Sequence, residues 1–535
     1  MIPWEIWGEA AFARARAEEK PIFLHIGATW CHWCHVMDDG TYTHPGVARI
    51  LTERFVAIRV DTDERPDVNE RYNQGGWPSV AVLDAAGEVL LGRTYAPAGE
   101  LVMLLQGVSE PGRRWSIAPS PPEPPPEPSP GPAVLYPRVE KAFDRYHGGF
   151  GDFQKFPHVG VCEWLLDRRL RGIDDGGMLR KTLDGMAGGG LWDAEAGGFF
   201  RYATQDDWSE PHHEKLLEDN ARLLNLYLRA YAVEKTPMWR ARAEGVVRWA
   251  VATLWQDAAG AFGGSQDADA RWYGAAPGDR GAPPAVDPTI YSGWNGLMAA
   301  ALVRAAAAWN RPGLFGLARS VGEVLLARVE AGRVARVPGG ISGLLTDQAE
   351  VGAAFLHLWQ RSGERRWRDA AVATLTWARD HLAAPEGGFY DALPDGPGLL
   401  RHRRRPMPGN VAMAEAAWRL GALLGDRTWL DLARGAADAA LDEGEAFGFM
   451  AANACAIRER IDRPYVVVKT WRAPMLRDHV LAHADASVLA LALDEGEAER
   501  ISLAEGAASP CTATACARPA RDVVALERSL ADLTR

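Results

Sequence analysis

Along the first hundred residues the apolar positions recur with two different periods. "EAAFARARAEEK" and "HPGVARILTERF" space them three and four apart, which predicts helices. "PIFLHIGA" and "VAIRVDTDE" are short apolar runs and predict strands, the first of them buried. "SVAVLDAAGEVLLG" holds two apolar runs around a turn at Ala85 to Gly87 and predicts a hairpin, while "CHWCHVM" opens a further helix. Strands alternating with helices and closed by a hairpin imply a small α/β layer.

Further along, the pattern changes to long Ala/Leu/Arg-rich helices such as "EDNARLLNLYLRAYAVE", "WNGLMAAALVRAAAAW" and "MAEAAWRLGALLG". Between them a Gly-aromatic motif recurs near Phe150, Phe199, Phe262 and Phe389, with weaker copies near Ile341 and Phe447. Each interval has room for two helices, so the repeat implies stacked helix pairs. Six pairs could close into an α/α toroid with a central pocket rimmed by these loops. The plainer alternative is an open solenoid. Polar and aromatic residues gathered in the loops favour the closed ring.

Proline sets the boundary between the two patterns. "SPPEPPPEPSPGP" favours extended polyproline geometry and cannot join a core. The expected organisation is an α/β domain over 1–119, a linker over 120–132, an all-α barrel core over 133–455 and a divergent part over 456–535 that completes or packs on the barrel. The chain has 535 residues, 47% of them apolar, and a formal net charge of -11. That charge argues against a general nucleic-acid surface. The basic stretch "RHRRRP" at Arg401 to Pro406 reads as surface charge or ligand contact. No apolar run reaches the length of a membrane span, and the N-terminus lacks the pattern of an export signal. Six cysteines in this length do not make a disulfide scaffold, so a reducing cytoplasm is expected.

In that compartment "CHWCHVM" carries chemistry more readily than structure. Cys31 follows a strand and stands at a helix start, where unpaired N–H groups favour its thiolate. Cys34, one turn later, is placed to resolve a mixed disulfide. Pro78 in "GGWPS" enters the next strand and could be cis beside the thiols. The competing readings are a metal held by Cys31, Cys34 and His32 or His35, and a packing role alone. A structural zinc usually takes two separated ligand pairs, and this region has no second pair. Cys511 and Cys516 are close enough to pair.

These motifs, with "VAIRVDTDERPDVNERY", "GGWPSVAVLDAAGE" and "GRTYAP", resemble the thioredoxin-like domain of the DUF255 family, also called the YyaL or spermatogenesis-associated thioredoxin-domain family. The resemblance continues through "GGFGDFQKFPH", "GGFFRYATQDDWSEPHHEKLLEDNARLL", "GAFGGSQDADARWYG" and "YSGWNGLMAAAL". It implies a thioredoxin-like domain followed by a six-hairpin barrel related to N-acylglucosamine 2-epimerase and glycosidase-like toroids. It also implies that Cys31 and Cys34 are the family's cysteine pair, and that Pro78 is its cis proline.

The densest polar run, Arg201 to Leu223, supplies candidates for a second site: Trp208, His212, His213 and Glu214. His158, Asp267, Asp269 and Trp294 join them from other repeats. Aromatic faces beside carboxylates suit a sugar, with paired carboxyls for hydrolysis or histidines for epimerisation. No nucleotide-binding or P-loop motif is present, and the sequence names no cofactor and no metal site. Three functions follow: a thiol–disulfide exchanger acting on a protein client, a carbohydrate-active enzyme, and a protein that only binds partners. Neither nucleic acid nor membrane is expected as a partner.

Overall fold

The computed structural model describes residues 1–109, 131–444 and 446–534. The proline-rich segment read as a linker lies outside the described residues, apart from its last two. No helix among the described residues is long and apolar enough to cross a membrane.

One compact unit gathers residues 1–109 with two later excursions of the chain, Gln266–Asp287 and Asp391–Arg404. Its elements are α1 (Glu9–Ala17), β1 (Ile22–Gly27), α2 (His32–Val36), α3 (Pro45–Arg54), β2 (Val56–Asp61), α4 (Pro66–Tyr72), β3 (Ser79–Leu83), β4 (Val89–Arg93) and α5 (Ala98–Val108). The sheet order is β2-β1-β3-β4. β1 runs parallel to β2, with Ile22 opposite Val56, and antiparallel to β3, with Ile22 opposite Leu83. Alternate residues of β1 serve opposite faces. Ile22, Leu24 and Ile26 meet Phe12 of α1 and Tyr72 of α4. Phe23 meets Ile50 and Leu51 of α3 and Leu105 of α5. Helices cover both faces, so every position of β1 is buried. This is a thioredoxin-like layer.

The excursion Asp391–Arg404 is fixed to the layer by polar contacts. Arg71 of α4 donates to Asp391 Oδ2 (2.6 Å) and to the carbonyls of Leu399 (3.1 Å) and His402 (2.8 Å). Leu400 joins the core beside Tyr72, whose hydroxyl accepts the Leu399 N–H at 2.8 Å. The basic stretch read as surface charge or ligand contact is used here. Arg401 pairs with Glu88 (2.8 Å), and Arg404 donates to the Glu70 carbonyl (3.0 Å).

The second unit holds residues 131–265, Pro288–Tyr390 and 405–534. Its helices are α6 (Pro132–Ala142), α7 (Val159–Leu170), α8 (Met178–Gly188), α9 (Leu217–Glu234), α10 (Pro237–Trp249), α11 (Ser292–Ala308), α12 (Pro312–Leu326), α13 (Leu345–Ser362), α14 (Arg365–Leu382), α15 (Met407–Leu424), α16 (Arg427–Asp442) and α17 (Ala452–Ile461). α7, α9, α11, α13, α15 and α17 touch in that order, and α17 returns to α7. The ring is therefore closed. α6, α8, α10, α12, α14 and α16 back it from outside. Among the described residues this makes six helical hairpins, an (α/α)6 toroid rather than an open solenoid.

The Gly-aromatic repeat has a structural cause. It forms turns that precede inner helices, and at α9, α11, α13 and α15 an amide at the start of the helix staples the turn before it. Asn220 accepts from Phe199 N (2.7 Å) and donates to Phe199 O (2.9 Å). Asn295 does the same for Phe262 (2.9 and 3.0 Å), and Asn410 for Phe389 (2.8 and 2.9 Å). Gln348 serves Val334 and the Gly332 carbonyl. The glycines are needed for space as well as conformation. Gly198 has φ +79°, and a Cβ there would lie 2.8 Å from the Trp249 ring.

Beyond α17 the chain forms β5 (Val466–Trp471), α18 (Pro474–Leu481), β6 (Val488–Ala492), α19 (Glu495–Arg500), β7 (Ala507–Cys511) and α20 (Val523–Thr534). β5 is central, parallel to β6 and antiparallel to β7. Carbonyls of His483, Ala484 and Ala490 accept from Arg304 (2.7 Å), Arg229 (2.9 Å) and Gln360 (3.0 Å) of the inner helices. This layer thus packs on the C-terminal halves of those helices. Cys511 and Cys516 form a disulfide.

Candidate functional site

In the first unit, β1 ends at Gly27 and a short loop brings Cys31 to the N-cap of α2. Cys31 Sγ accepts the Cys34 N–H at 3.2 Å, and the two cysteines are joined as a disulfide. The same N–H would stabilise a Cys31 thiolate in the reduced state. Both sulfurs are shielded, with Cys31 5% and Cys34 3% exposed. Trp30 fixes the loop by donating to Asp63 Oδ2 (2.7 Å). Its ring meets Trp77 edge-on at 5.7 Å, and the Trp77–Pro78 bond is cis. Trp33, 47% exposed, packs its ring 5.1 Å from Tyr95 and gives an apolar surface on the same helix.

Three ionisable groups surround this pair. His25 lies beneath it, with its Nδ1 2.8 Å from the Tyr42 hydroxyl, and burial pushes its pKa down to about 3. A Cβ on Gly27 would sit 2.9 Å from His25 Nε2 and 3.5 Å from Cys34 Sγ, so glycine is required between them. Asp61 is pushed up to about 6, mainly by burial. His35 places Nε2 2.9 Å from the Thr29 carbonyl and Nδ1 3.6 Å from Asp267 Oδ2. Burial raises the Asp267 carboxyl, and His35 opposes the rise.

Asp267 and Asp269 therefore belong to the thioredoxin-like unit. Asp269 caps a short helix there, accepting from Arg271 N and Trp272 N. Among the described residues, the one trio of potential ligand atoms lying within 4.8 Å of one another is Asp144, His147 and Asp206, without either cysteine.

In the second unit the toroid encloses a cavity of about 560 Å³. His158 lines it, and so do Phe156 and Arg201. Burial pushes His158 down to about 4. The other expected toroid residues brace the rim. Trp208 is 1% exposed and donates Nε1 to the His147 carbonyl (2.9 Å). Glu214 holds Arg201 at 2.8 Å. His212 stacks on Tyr202 at 4.4 Å, and Tyr202 on Phe156 at 4.6 Å. His213 meets Phe200 edge-on at 5.0 Å, and Trp294 packs 4.6 Å from Tyr291. Of the eight candidates for the second site, His158, Trp208, His212, His213, Glu214, Asp267, Asp269 and Trp294, the cavity wall includes only His158.

The wall is built by residues that the sequence reading passed over. At one end Glu218, Asp219, Arg222 and Glu350 come together. Arg222 bridges Glu218 (3.0 Å) and Glu350 (2.7 Å). Burial, and then Glu218, push Asp219 up to about 7. At the other end stand Arg229, Arg304, His357 and Arg419, with Arg460, Glu163 and Glu415. Each of the first four lies nine residues after a staple, following Asn220, Asn295, Gln348 and Asn410. Nine residues are about two and a half helical turns. A staple turned towards its loop therefore puts the ninth residue on the opposite side, facing the ring axis. The signal was available as one ionisable residue inside each apolar run: "LYLRAYA", "ALVRAAAA", "FLHLWQ" and "AWRLGALL".

Most of these cations are neutralised. Asp167 takes Arg460 at 2.9 Å and also takes Arg229. Glu415 takes Arg419 at 2.9 Å and also takes Arg460. Arg304 is the exception. It donates to the His483 carbonyl, and no carboxylate forms an ion pair with it among the described residues. Burial, then Arg229 and Arg419, push Arg304 down to about 9.

The chain thus joins a thioredoxin-like CxxC domain to an (α/α)6 toroid that carries a polar cavity. Residues 1–109 match the family described as "Protein of unknown function, DUF255". The chain is 30% identical to mouse (Mus musculus) spermatogenesis-associated protein 20 over 322 residues, which cover 53% of this chain and 40% of that protein. Two solved structures are similar at low identity. A cellobiose 2-epimerase from Bacillus thermoamylovorans is 10% identical with TM-score 0.44, over 56% of this chain and 82% of that chain. A D-mannose isomerase is 14% identical with TM-score 0.45, over 57% and 85%.

Proposed function

We propose that the first unit exchanges thiols and disulfides with a protein client. The observation that carries this reading is Cys31 at the N-cap of α2, bonded to Cys34 and accepting its N–H. In the reduced state the Cys31 thiolate attacks a client disulfide and releases one client thiolate. Cys34 then gives up its proton and attacks Cys31 Sγ. The Cys31–Cys34 bond forms, the second client thiolate leaves, and two electrons have passed to the client. Trp33 and Tyr95 offer an apolar surface to the client chain. A cytoplasmic location fits a dithiol that works as a reductant. The test is alkylation of the reduced protein against pH, in wild type, C31A and C34S. Cys31 should react at neutral pH faster than an ordinary free thiol. If it does not, the exchange reading falls.

A second reading, a carbohydrate-active enzyme in the toroid, is supported by Asp219. A carboxyl that titrates near neutrality on a cavity wall can act as a general acid or base. Turnover of mono- or disaccharides that D219N abolishes would support it. A panel of such sugars left unchanged by the wild-type protein would remove it.

A further inference from the structure

We propose that the toroid cavity binds a small organic anion, whose carboxylate or phosphate group is held by Arg304. The proposal deepens the toroid reading, on which it depends for the presence of a ligand, and it is independent of thiol exchange.

Charge is unbalanced at one end of the cavity. Four arginines, Arg229, Arg304, Arg419 and Arg460, face three carboxylates, Asp167, Glu163 and Glu415. The carboxylates are taken by the other three arginines, and the excess positive charge rests on Arg304. Its residue is 8% exposed, it lines the cavity, and no carboxylate forms an ion pair with it among the described residues. A buried charge without a counter-charge is costly, and an anion that supplies one binds with the recovered energy. The planar guanidinium favours groups with two oxygens side by side, which carboxylates and phosphates share.

The neighbours strengthen the case. His357, on the same level of the ring, is held neutral by burial and by Arg419 and Arg304, so this end carries a positive field. The opposite end offers Arg201, Glu218, Asp219, Arg222 and Glu350 as hydrogen-bonding groups for oxygens of the ligand. A volume of about 560 Å³ lies within the usual range for metabolite-sized ligands. The structure therefore calls for a molecule with an anionic group at one end and polar oxygens at the other. If Arg304 served only to anchor the C-terminal layer through His483, no anion preference would follow.

The test uses the full chain and four probes: D-glucuronate, D-glucose 6-phosphate, D-glucose as their uncharged counterpart, and inorganic phosphate. Calorimetric titration at neutral pH is run on wild type, R304Q and R304K. One of the organic anions should bind at least about tenfold tighter than glucose, and R304Q should weaken it at least about tenfold, with R304K intermediate. The preferred anion separates a carboxylate ligand from a phosphate ester. If R304Q fails to fold, the wild-type comparison of charged and neutral probes decides. Glucose binding as tightly as its anionic counterparts would overturn the anion proposal and leave the toroid reading standing. Binding of inorganic phosphate alone, with no gain from either organic frame, would overturn the organic ligand. No saturable heat from any probe would overturn the proposal.

Discussion

Cys31 and Cys34 lie three residues apart on a single turn, whereas Arg229, Arg304, His357 and Arg419 come from four helices spread over about 190 residues. The thiol pair needs one strand end and one short helix to hold its geometry. The arginine level exists only because a ring closes and each inner helix keeps its register. The two sites should therefore fail differently. Damage to the thiol site should be all-or-none at a single residue. Damage to the toroid site should follow the stability of the turns that set helix register.

The largest expected effect lies at the local site. C31A should lower the rate of disulfide reduction at least about hundredfold, because no other group supplies the attacking sulfur. C34S should retain attack and accumulate the mixed disulfide, visible by mass on a model client. Residual turnover in C31A within tenfold of wild type would show that the chemistry is not confined to this turn.

A staple should come next. N410A removes the acceptor for Phe389 N and the donor to Phe389 O and Pro406 O, all inside the ring wall. Leaving these groups unsatisfied should cost about 2–4 kcal/mol of unfolding free energy, read from denaturant midpoints. Anion binding by the cavity should weaken with it, while Cys31 alkylation stays within twofold. Equal losses at both sites would mean that the contrast between them is false.

The same contrast explains what the sequence disclosed. The thiol pair, the proline and the α/β order are short-range patterns and can be read directly. The turns were legible because glycine recurs in them beside an aromatic ring, or beside Ile341 in one, for steric reasons seen at Gly198. The cavity wall was not legible in the same way. Trp208, His212 and Glu214, read from a polar loop run, brace the rim, and the wall comes from single ionisable residues within apolar helices. Asp267, read as a candidate for the second site, folds with the first unit. Nothing in its local pattern says that residues 266–287 fold with the thioredoxin-like layer.

Asp219 tests the interior character of the toroid site. Its pKa is raised from 3.8 to about 7, so the folded chain keeps this proton longer than the unfolded chain does. Stability from this group is fully present below about pH 4 and is lost as pH rises through about 7. The whole shift corresponds to about 4 kcal/mol, and solvent in the cavity reduces it. D219N should therefore stabilise the protein by about 1–2 kcal/mol at pH 8, with the gain vanishing near pH 4. A gain independent of pH would place the carboxyl in ordinary solvent.

The smallest effect is expected beside the thiols. Burial raises the Asp267 carboxyl, and His35, 3.6 Å away, is the first influence that opposes the rise. Removing the imidazole should raise the folded-state pKa further. A raised carboxyl contributes stability at low pH that is lost as pH rises through its folded value, so H35Q should lose more than wild type between pH 4 and 6. His35 is partly exposed, at 42%, and solvent screens the pair. The extra loss should be only about 0.2–1 kcal/mol, the scale of a surface ion pair. Glutamine can still donate to the Thr29 carbonyl, so a pH-independent loss would report the hydrogen bond rather than the charge. Salt separates the two further: raising ionic strength should shrink the difference between H35Q and wild type if it arises from the ion pair, and should leave it unchanged if it arises from packing at the end of α2.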